Sequence, residues 1–219
     1  MGSEAWGEKI PGGYFHEQFH VYRGDDGVIV PSTTQVFDVL GMSDFSMVDP
    51  SVLEWKRNFG TGLHRALELL VFDRLDWDSL DDILIEPTVG LETWLKVVKY
   101  KAEAAEERCI CTINGMRVGQ TLDHRGRLIF KGQERPAIID LKSGSKYSPT
   151  WSWQLGSYYG GAPKPASSGY VGVILQADME GKIKPYWIDL AKALREFTIL
   201  LCAANLKLNN GMAQLRGAA

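Results

Sequence analysis

The hydrophobic period of this chain changes once past its N-terminal arm, and that change constrains the fold more than any other feature. Before about residue 107 the apolar positions recur at helical spacing. In GLHRALELLVF, residues 62–72, Leu63, Ala66, Leu67 and Leu70 fall at i, i+3, i+4 and i+7 and predict a helix. A helical turn over 50–59 opens at Asp49-Pro50, and residues 75–86 read as an acidic, solvated connection. A longer helix is expected over 90–107, with Trp94, Leu95, Val98 and Ala102 on one face. From Arg108 the segments RCICTING, MRVGQTLDHRG and RLIFKG read as strands, joined at Asn114-Gly115 and Arg125-Gly126. A turn at 132–135 leads into PAIIDLKS. A helix follows Pro149 to about Gly160, then strands in GYVGVILQAD and KIKPYWIDL, then a helix over 189–207. Helices, three or four strands, a helix, two strands and a helix predict one α/β domain, a mixed central β-sheet flanked by helices.

Three spans are expected. Residues 1–50 form an arm with one hairpin around Gly24-Asp25-Asp26-Gly27 and a short helix, TQVFDVLG, capped by Ser32-Thr33-Thr34 and closed by Gly41. Residues 51–210 form the core, and 211–219 a frayed tail. No stretch approaches the run of about 20 apolar residues that crosses a membrane. MGSEAWGEKI has neither a basic leader nor an apolar core, which predicts a cytoplasmic protein. The three cysteines, Cys109, Cys111 and Cys202, fit a reducing compartment and fall short of the four that an iron–sulfur cluster takes, so no such cluster is expected. A net charge of −3 argues mildly against a nucleic-acid partner, although carboxylates gathered around a metal ion would produce the same total.

Candidate chemistry starts from PAIIDLKS. Side chains alternate along a strand, so Asp140 and Lys142 point to one face at the end of an apolar run. Alone, such a pair is usually a surface ion pair. Asp123 lies 17 residues earlier, at the expected end of another strand; if the strands are neighbours, the two carboxylates converge and offer the hard oxygen ligands that Mg²⁺ or Mn²⁺ takes. Lys142 could then orient or deprotonate a water activated by the ion. His64 follows Gly60 and Gly62, glycines that permit close approach, and Glu68 one turn on could orient its imidazole. Gln154 and Tyr158 sit at i and i+4 on the helix after the lysine strand and could bind a phosphate or position Lys142.

Taken in order, GTGLHRALE, VGQTLD, IIDLKSGS and WQLGSYY resemble the PD-(D/E)XK nucleases of the RecB and Cas4-like exonuclease group, in the style of phage-encoded exonucleases. The likeness covers roughly residues 30–160, and VPSTTQVFDVLGMSDFS resembles the opening of phage members. It implies a restriction-endonuclease-like core and a divalent-metal-dependent DNA nuclease, an exonuclease, acting in repair, recombination or phage replication in a bacterial or phage-infected cell. It implies His64, Asp123, Asp140 and the Leu141 carbonyl as metal ligands, Lys142 as the catalytic lysine, and Gln154 and Tyr158 as the glutamine–tyrosine motif. Relatives carry a further glutamate before the metal aspartate; Glu107 is the candidate, with Glu106 and Glu103 as rivals. Leu122 departs from the proline of the family name, and the four cysteines of Cas4 proteins are missing.

A DNA path, to single strands or duplex ends, is expected where Lys142, Lys146 and Lys164 surround Tyr147, Trp151 and Trp153, since lysines meet phosphates and rings stack on bases. The competing expectation makes both tryptophans core residues. Arg65, Arg57 and Lys56 near His64 could contact phosphates. The alternative functions are an inactive DNA-binding subunit of this fold, partnering a helicase or recombinase, and a restriction-type endonuclease.

Overall fold

The computed structural model describes residues 7–42, 48–144, 146–163 and 169–215; Lys164, residues 43–47 and the last four residues of the expected tail lie outside the described residues. The chain runs β1 (Glu8–Ile10), β2 (Gly13–His16), β3 (Val21–Gly24), β4 (Ile29–Val30), α1 (Thr33–Val39), α2 (Pro50–Val71), α3 (Asp82–Val97), β5 (Lys101–Ile113), β6 (Met116–Phe130), β7 (Gln133–Lys142), α4 (Pro149–Gly161), β8 (Val171–Ala177), β9 (Ile183–Ile188) and α5 (Leu190–Asn209). It is the expected α/β architecture. The central sheet has the order β5-β6-β7-β8-β9 and is antiparallel except between β7 and β8. That parallel step needs a crossover, which α4 supplies.

The strand β7 is buried on both faces, which is why PAIIDLK is almost continuously apolar. Ala137, Ile139 and Leu141 pack with Leu63 and Leu67 of α2 and Leu91 of α3. Ile138 packs on the opposite face with Leu155 and Tyr158 of α4. Asp140 shares the parity of Ile138, so it belongs to the α4 face. Asn114 and Gly115 both have positive φ, 49° and 77°, and close the β5–β6 hairpin as expected.

Five expectations are corrected. The pieces at 50–59 and 62–72 are one helix of 22 residues, α2. Its internal glycines bring neighbours close rather than break it: a Cβ on Gly62 would lie 2.9 Å from Leu84, and one on Gly60 would lie 3.1 Å from the Ser143 hydroxyl. The helix expected over 90–107 ends at Val97, and Lys99 turns the chain with φ 49° into β5. Alanine and glutamate favour a helix over 102–107, but pairing with β6 overrides that preference. The acidic 75–86 segment carries a short 3-10 turn at Trp77–Ser79 and the first turn of α3. Arg125-Gly126 is no turn, because β6 runs unbroken through it; a Cβ on Gly126 would meet the Lys101 carbonyl oxygen at 2.2 Å, so glycine admits the neighbouring strand. The N-terminal arm holds a four-stranded antiparallel sheet instead of a single hairpin. The capping box at Ser32 and Gln35 starts α1, which packs against α5 through Phe37 and Phe197.

Candidate metal centre

The geometry of the site begins with an irregularity shared by two strands. Along β6, Gln120 and Leu122 face α4: the Gln120 amide donates to the Ser157 carbonyl at 2.7 Å, and Leu122 packs with Leu155 and Tyr158. Leu128, also even-numbered, packs instead under α2 and α3. The alternation resets between Leu122 and Leu128, a stretch that contains Asp123. The adjoining strand β5 shifts register between Ala102 and Ala104, and Glu106 sits at φ 52°, a left-handed conformation costing on the order of 1–3 kcal/mol in a non-glycine residue. Strain of this kind persists where the surroundings impose it, and here it lies at the candidate site.

His64, Glu106 and Asp123 meet at that point. One ligand atom from each falls within 4.8 Å of the others. His64 comes from α2, Glu106 from β5 and Asp123 from β6. His64 Nδ1 stands 3.3 Å from Asp123 Oδ2, and the Leu141 N–H donates to that same oxygen at 3.1 Å. Burial, then the charge of Lys142, lowers the His64 pKa to about 4, so the imidazole is neutral near pH 7 and free to act as a ligand. Burial, then the charge of Asp123, pushes Glu106 up to about 7. Asp123 is raised as well, chiefly by burial. Two carboxylates and a neutral imidazole, with the acids disfavoured as free anions, fit a hard divalent cation.

Beside this group lies the pair from PAIIDLKS. Lys142 Nζ donates to Asp140 Oδ1 at 3.1 Å and to Gln154 Oε1 at 3.0 Å, and it lies 2.9 Å from Asp140 Oδ2. That second oxygen is buried and accepts no hydrogen bond within the protein. Asp140 is fully buried, so the pair is not the surface ion pair that its spacing alone suggests. Burial pushes the Asp140 pKa up to about 7, with Lys142 opposing and Asp123 reinforcing. Burial alone would lower Lys142, but the charges of Asp140 and Asp123 outweigh it and leave its pKa raised. In the metal-free protein Lys142 is therefore an ammonium, which suits the orienting one of the two roles expected of it. Gln154 Nε2 donates to the Tyr158 hydroxyl at 2.5 Å, and burial holds Tyr158 well above its ordinary pKa, so it stays a neutral phenol. The lysine, glutamine and tyrosine thus form one chain of contacts.

Several expected site residues take other roles. Glu107 does not join the metal group: Arg125 grips both its oxygens at 2.8 Å and also holds Glu103 at 2.6 Å. The rival, Glu106, occupies the position. Neighbouring strand residues face opposite ways, and Arg125 captures the outward pair. Glu68 accepts from Arg65 at 2.5 Å, while the His64 Nδ1 faces Asp123, so Glu68 does not orient the imidazole. Asp140 faces Lys142 and also contacts Asp123 of the three-residue group.

The aromatic residues of the expected DNA path, Tyr147, Trp151 and Trp153, are half-buried. Trp153 is packed among the α1 and α5 side chains and donates to Glu196 at 2.8 Å. Trp151 and Tyr147 meet edge-on at 5.6 Å, and Tyr147 also lies against Tyr186 at 4.9 Å. These rings pack beside the core without being fully buried in it. Lys146 is exposed and lines neither cavity beside the metal group. The cationic cleft lies instead along α2. A cavity of about 860 Å³ is lined by Lys56, Arg57, His64 and Arg65 of α2 and by Glu106 and Arg108 of β5, with Phe15 and His20 of the N-terminal sheet across from them. Arg108 and His20 carried no sequence signal, because a four-stranded N-terminal sheet was not expected. Cys109 and Cys111 are half-buried and Cys202 exposed, all three as thiols outside any disulfide.

Among the described residues no helix is long and apolar enough to cross a membrane. No known protein family matches the chain, and no curated protein does. Of solved structures, the crystal structure of SSO0001 is similar over 64% of this chain and 74% of that one, at 21% identity and a TM-score of 0.28.

Proposed function

We propose that this protein is a divalent-metal-dependent DNA nuclease, an exonuclease, that hydrolyses phosphodiester bonds. The observation that carries the reading is the meeting of His64, Glu106 and Asp123 within 4.8 Å, beside a buried Asp140–Lys142 pair. The donor set suits Mg²⁺ or Mn²⁺, which take carboxylate oxygens and tolerate an imidazole. When bound, the ion would supply Lewis-acid stabilisation of the charge that develops on the phosphate.

The chain's own residues divide the remaining work. Lys142 presents a fixed ammonium toward the region where a phosphate oxygen gains charge, a preorganised interaction strengthened by burial. Asp140 keeps that ammonium charged and in place, and Gln154 holds it from the other side, itself steadied by Tyr158. The Leu141 N–H fixes the Asp123 carboxylate. Lys56 and Arg57, cations without a carboxylate partner among the described residues, lead along α2 to His64 and complement a phosphate backbone.

The test is cleavage of end-labelled single- and double-stranded DNA with Mg²⁺ or Mn²⁺. Metal-dependent release of short products, abolished in Asp123→Asn and Lys142→Ala, is expected. Folded protein that binds Mn²⁺ but cuts neither substrate would refute the enzyme and favour a DNA-binding subunit.

A further inference from the structure

The metal group stands between two cavities of opposite chemistry. The large one is the cationic cleft along α2, reached by His64 and Glu106. The second, of about 230 Å³, is reached by Asp123, Gln154 and Tyr158 from the other side. His20 and Thr121 line both, so they mark the junction. Four lysines and arginines line the large cavity with Glu17, Glu68 and Glu106, and of these Lys56 and Arg57 face no carboxylate among the described residues; no lysine or arginine among the described residues lines the small cavity. Its wall is instead hydroxyl-rich, with Ser32, Thr33, Thr34 and Thr121.

A nucleic-acid strand that continued past the scissile phosphate would carry further phosphates, each needing a cation or open water. The small cavity offers no cation. Its accessible hydroxyls, Thr34 and Thr121, are paired with Ser32 and Tyr22, and each keeps a further hydrogen-bonding position for a sugar or base edge, in a volume below the roughly 300 Å³ at which small-ligand pockets usually begin. His20 adds an aromatic surface at the junction. Its ring is supported edge-on by Phe15 at 5.2 Å and Tyr22 at 6.0 Å, yet the residue remains exposed. It is held at φ 50° in the turn between β2 and β3, with its N–H donating to the Glu17 carbonyl. An exposed, backed ring of this kind is what an unpaired base stacks on.

We infer that the small cavity is a pocket for the single terminal nucleoside of a nucleic-acid strand whose backbone lies in the cationic cleft, with His20 stacking on the base. The inference rests on the nuclease reading and adds to it a structural reason for acting at chain ends. The scissile phosphate lies at the junction, one nucleoside lies beyond it, and the N-terminal sheet closes the way to a longer strand.

The test compares linear single-stranded DNA with the same sequence as a covalent circle, in Mn²⁺, for the wild type and for Thr34→Trp, His20→Ala and His20→Phe. Thr34 is an exposed rim residue, so an indole there fills the pocket without disturbing the core. The expected wild-type result is release of mononucleotides from the linear strand, with the circle cut at least 100-fold more slowly. Thr34→Trp should lower the linear rate at least tenfold with Mn²⁺ affinity unchanged by calorimetry. His20→Ala should raise KM, and His20→Phe should restore it, because stacking rather than titration is at work. Equal cutting of circle and line, or a Thr34→Trp rate equal to the wild type, would overturn the pocket while leaving the nuclease reading intact. Cleavage of neither substrate would overturn both.

Discussion

Glu106 and Glu107 are adjacent on β5 and have opposite fates, so replacing each with glutamine separates metal binding from strand support. Glu106 contributes one of two carboxylates to the three-residue group. At an effective dielectric of about 20, a carboxylate about 4 Å from a unit positive charge contributes about 4 kcal/mol. A divalent ion carries twice that charge, but water refills the vacated position. A net loss of about 3 kcal/mol, or about 100-fold in Mn²⁺ affinity, is expected for Glu106→Gln. Because the Glu106 carboxyl is raised to about 7 by burial and by Asp123, removing its charge should not destabilise the metal-free protein. Glu107→Gln loses only a partly exposed pairing with Arg125, whose other carboxylate partner, Glu103, remains. It should cost at most about 1 kcal/mol of stability and leave Mn²⁺ affinity unchanged. Calorimetric Mn²⁺ titration with urea unfolding reads both quantities. Loss of metal binding in Glu107→Gln, or its retention in Glu106→Gln, would refute the assignment.

Mn²⁺ binding should weaken as pH falls through about 7, because a protonated Glu106 must release its proton to ligate; the apparent affinity should drop by up to about tenfold per unit below that point, with proton release seen in buffers of different ionisation enthalpy. Lys142→Ala strands the buried Asp140, and a stranded buried charge costs about 3–5 kcal/mol. Asp140 can escape by taking a proton, and a carboxyl raised in the folded state stabilises at low pH and loses that contribution as pH rises. Urea unfolding should therefore show a larger loss at pH 8 than at pH 6. Gly156→Ala would set a Cβ 2.4 Å from the Ala193 backbone and force α4 from α5, costing about 1–3 kcal/mol or more. Gly62→Ala meets only the movable tip of Leu84 and gains helix propensity, so its thermal midpoint should stay near the wild type.

The parts of the site legible in the sequence were those written in local pattern. PAIIDLKS announced an apolar strand, and its parity put Asp140 and Lys142 together. His64 fell on a clearly periodic helix behind two glycines that permit close approach. Glu106 stood only as a rival to Glu107 because 101–107 read as helix, since alanine and glutamate favour helix and only the distant partner β6 makes that stretch a strand. Even with the strand known, the left-handed residue and the shifted register are tertiary features with no local signature. The cavity along α2 had no local signature for a related reason. Lysines and aromatics adjacent in sequence suggested a surface, and there Tyr147, Trp151 and Trp153 lie half-buried against neighbouring elements. The cleft that exists is assembled from α2, β5 and the N-terminal sheet, which lie far apart in the chain.

The central claim is that His64, Glu106 and Asp123 share one divalent ion. Anomalous scattering from a crystal soaked in Mn²⁺ tests it most directly. One peak in contact with the His64 imidazole and the Glu106 and Asp123 carboxylates, lost in Asp123→Asn crystals, is the predicted result. A soaked crystal with no peak there, or with manganese held at Glu103 and Glu107 instead, would contradict it.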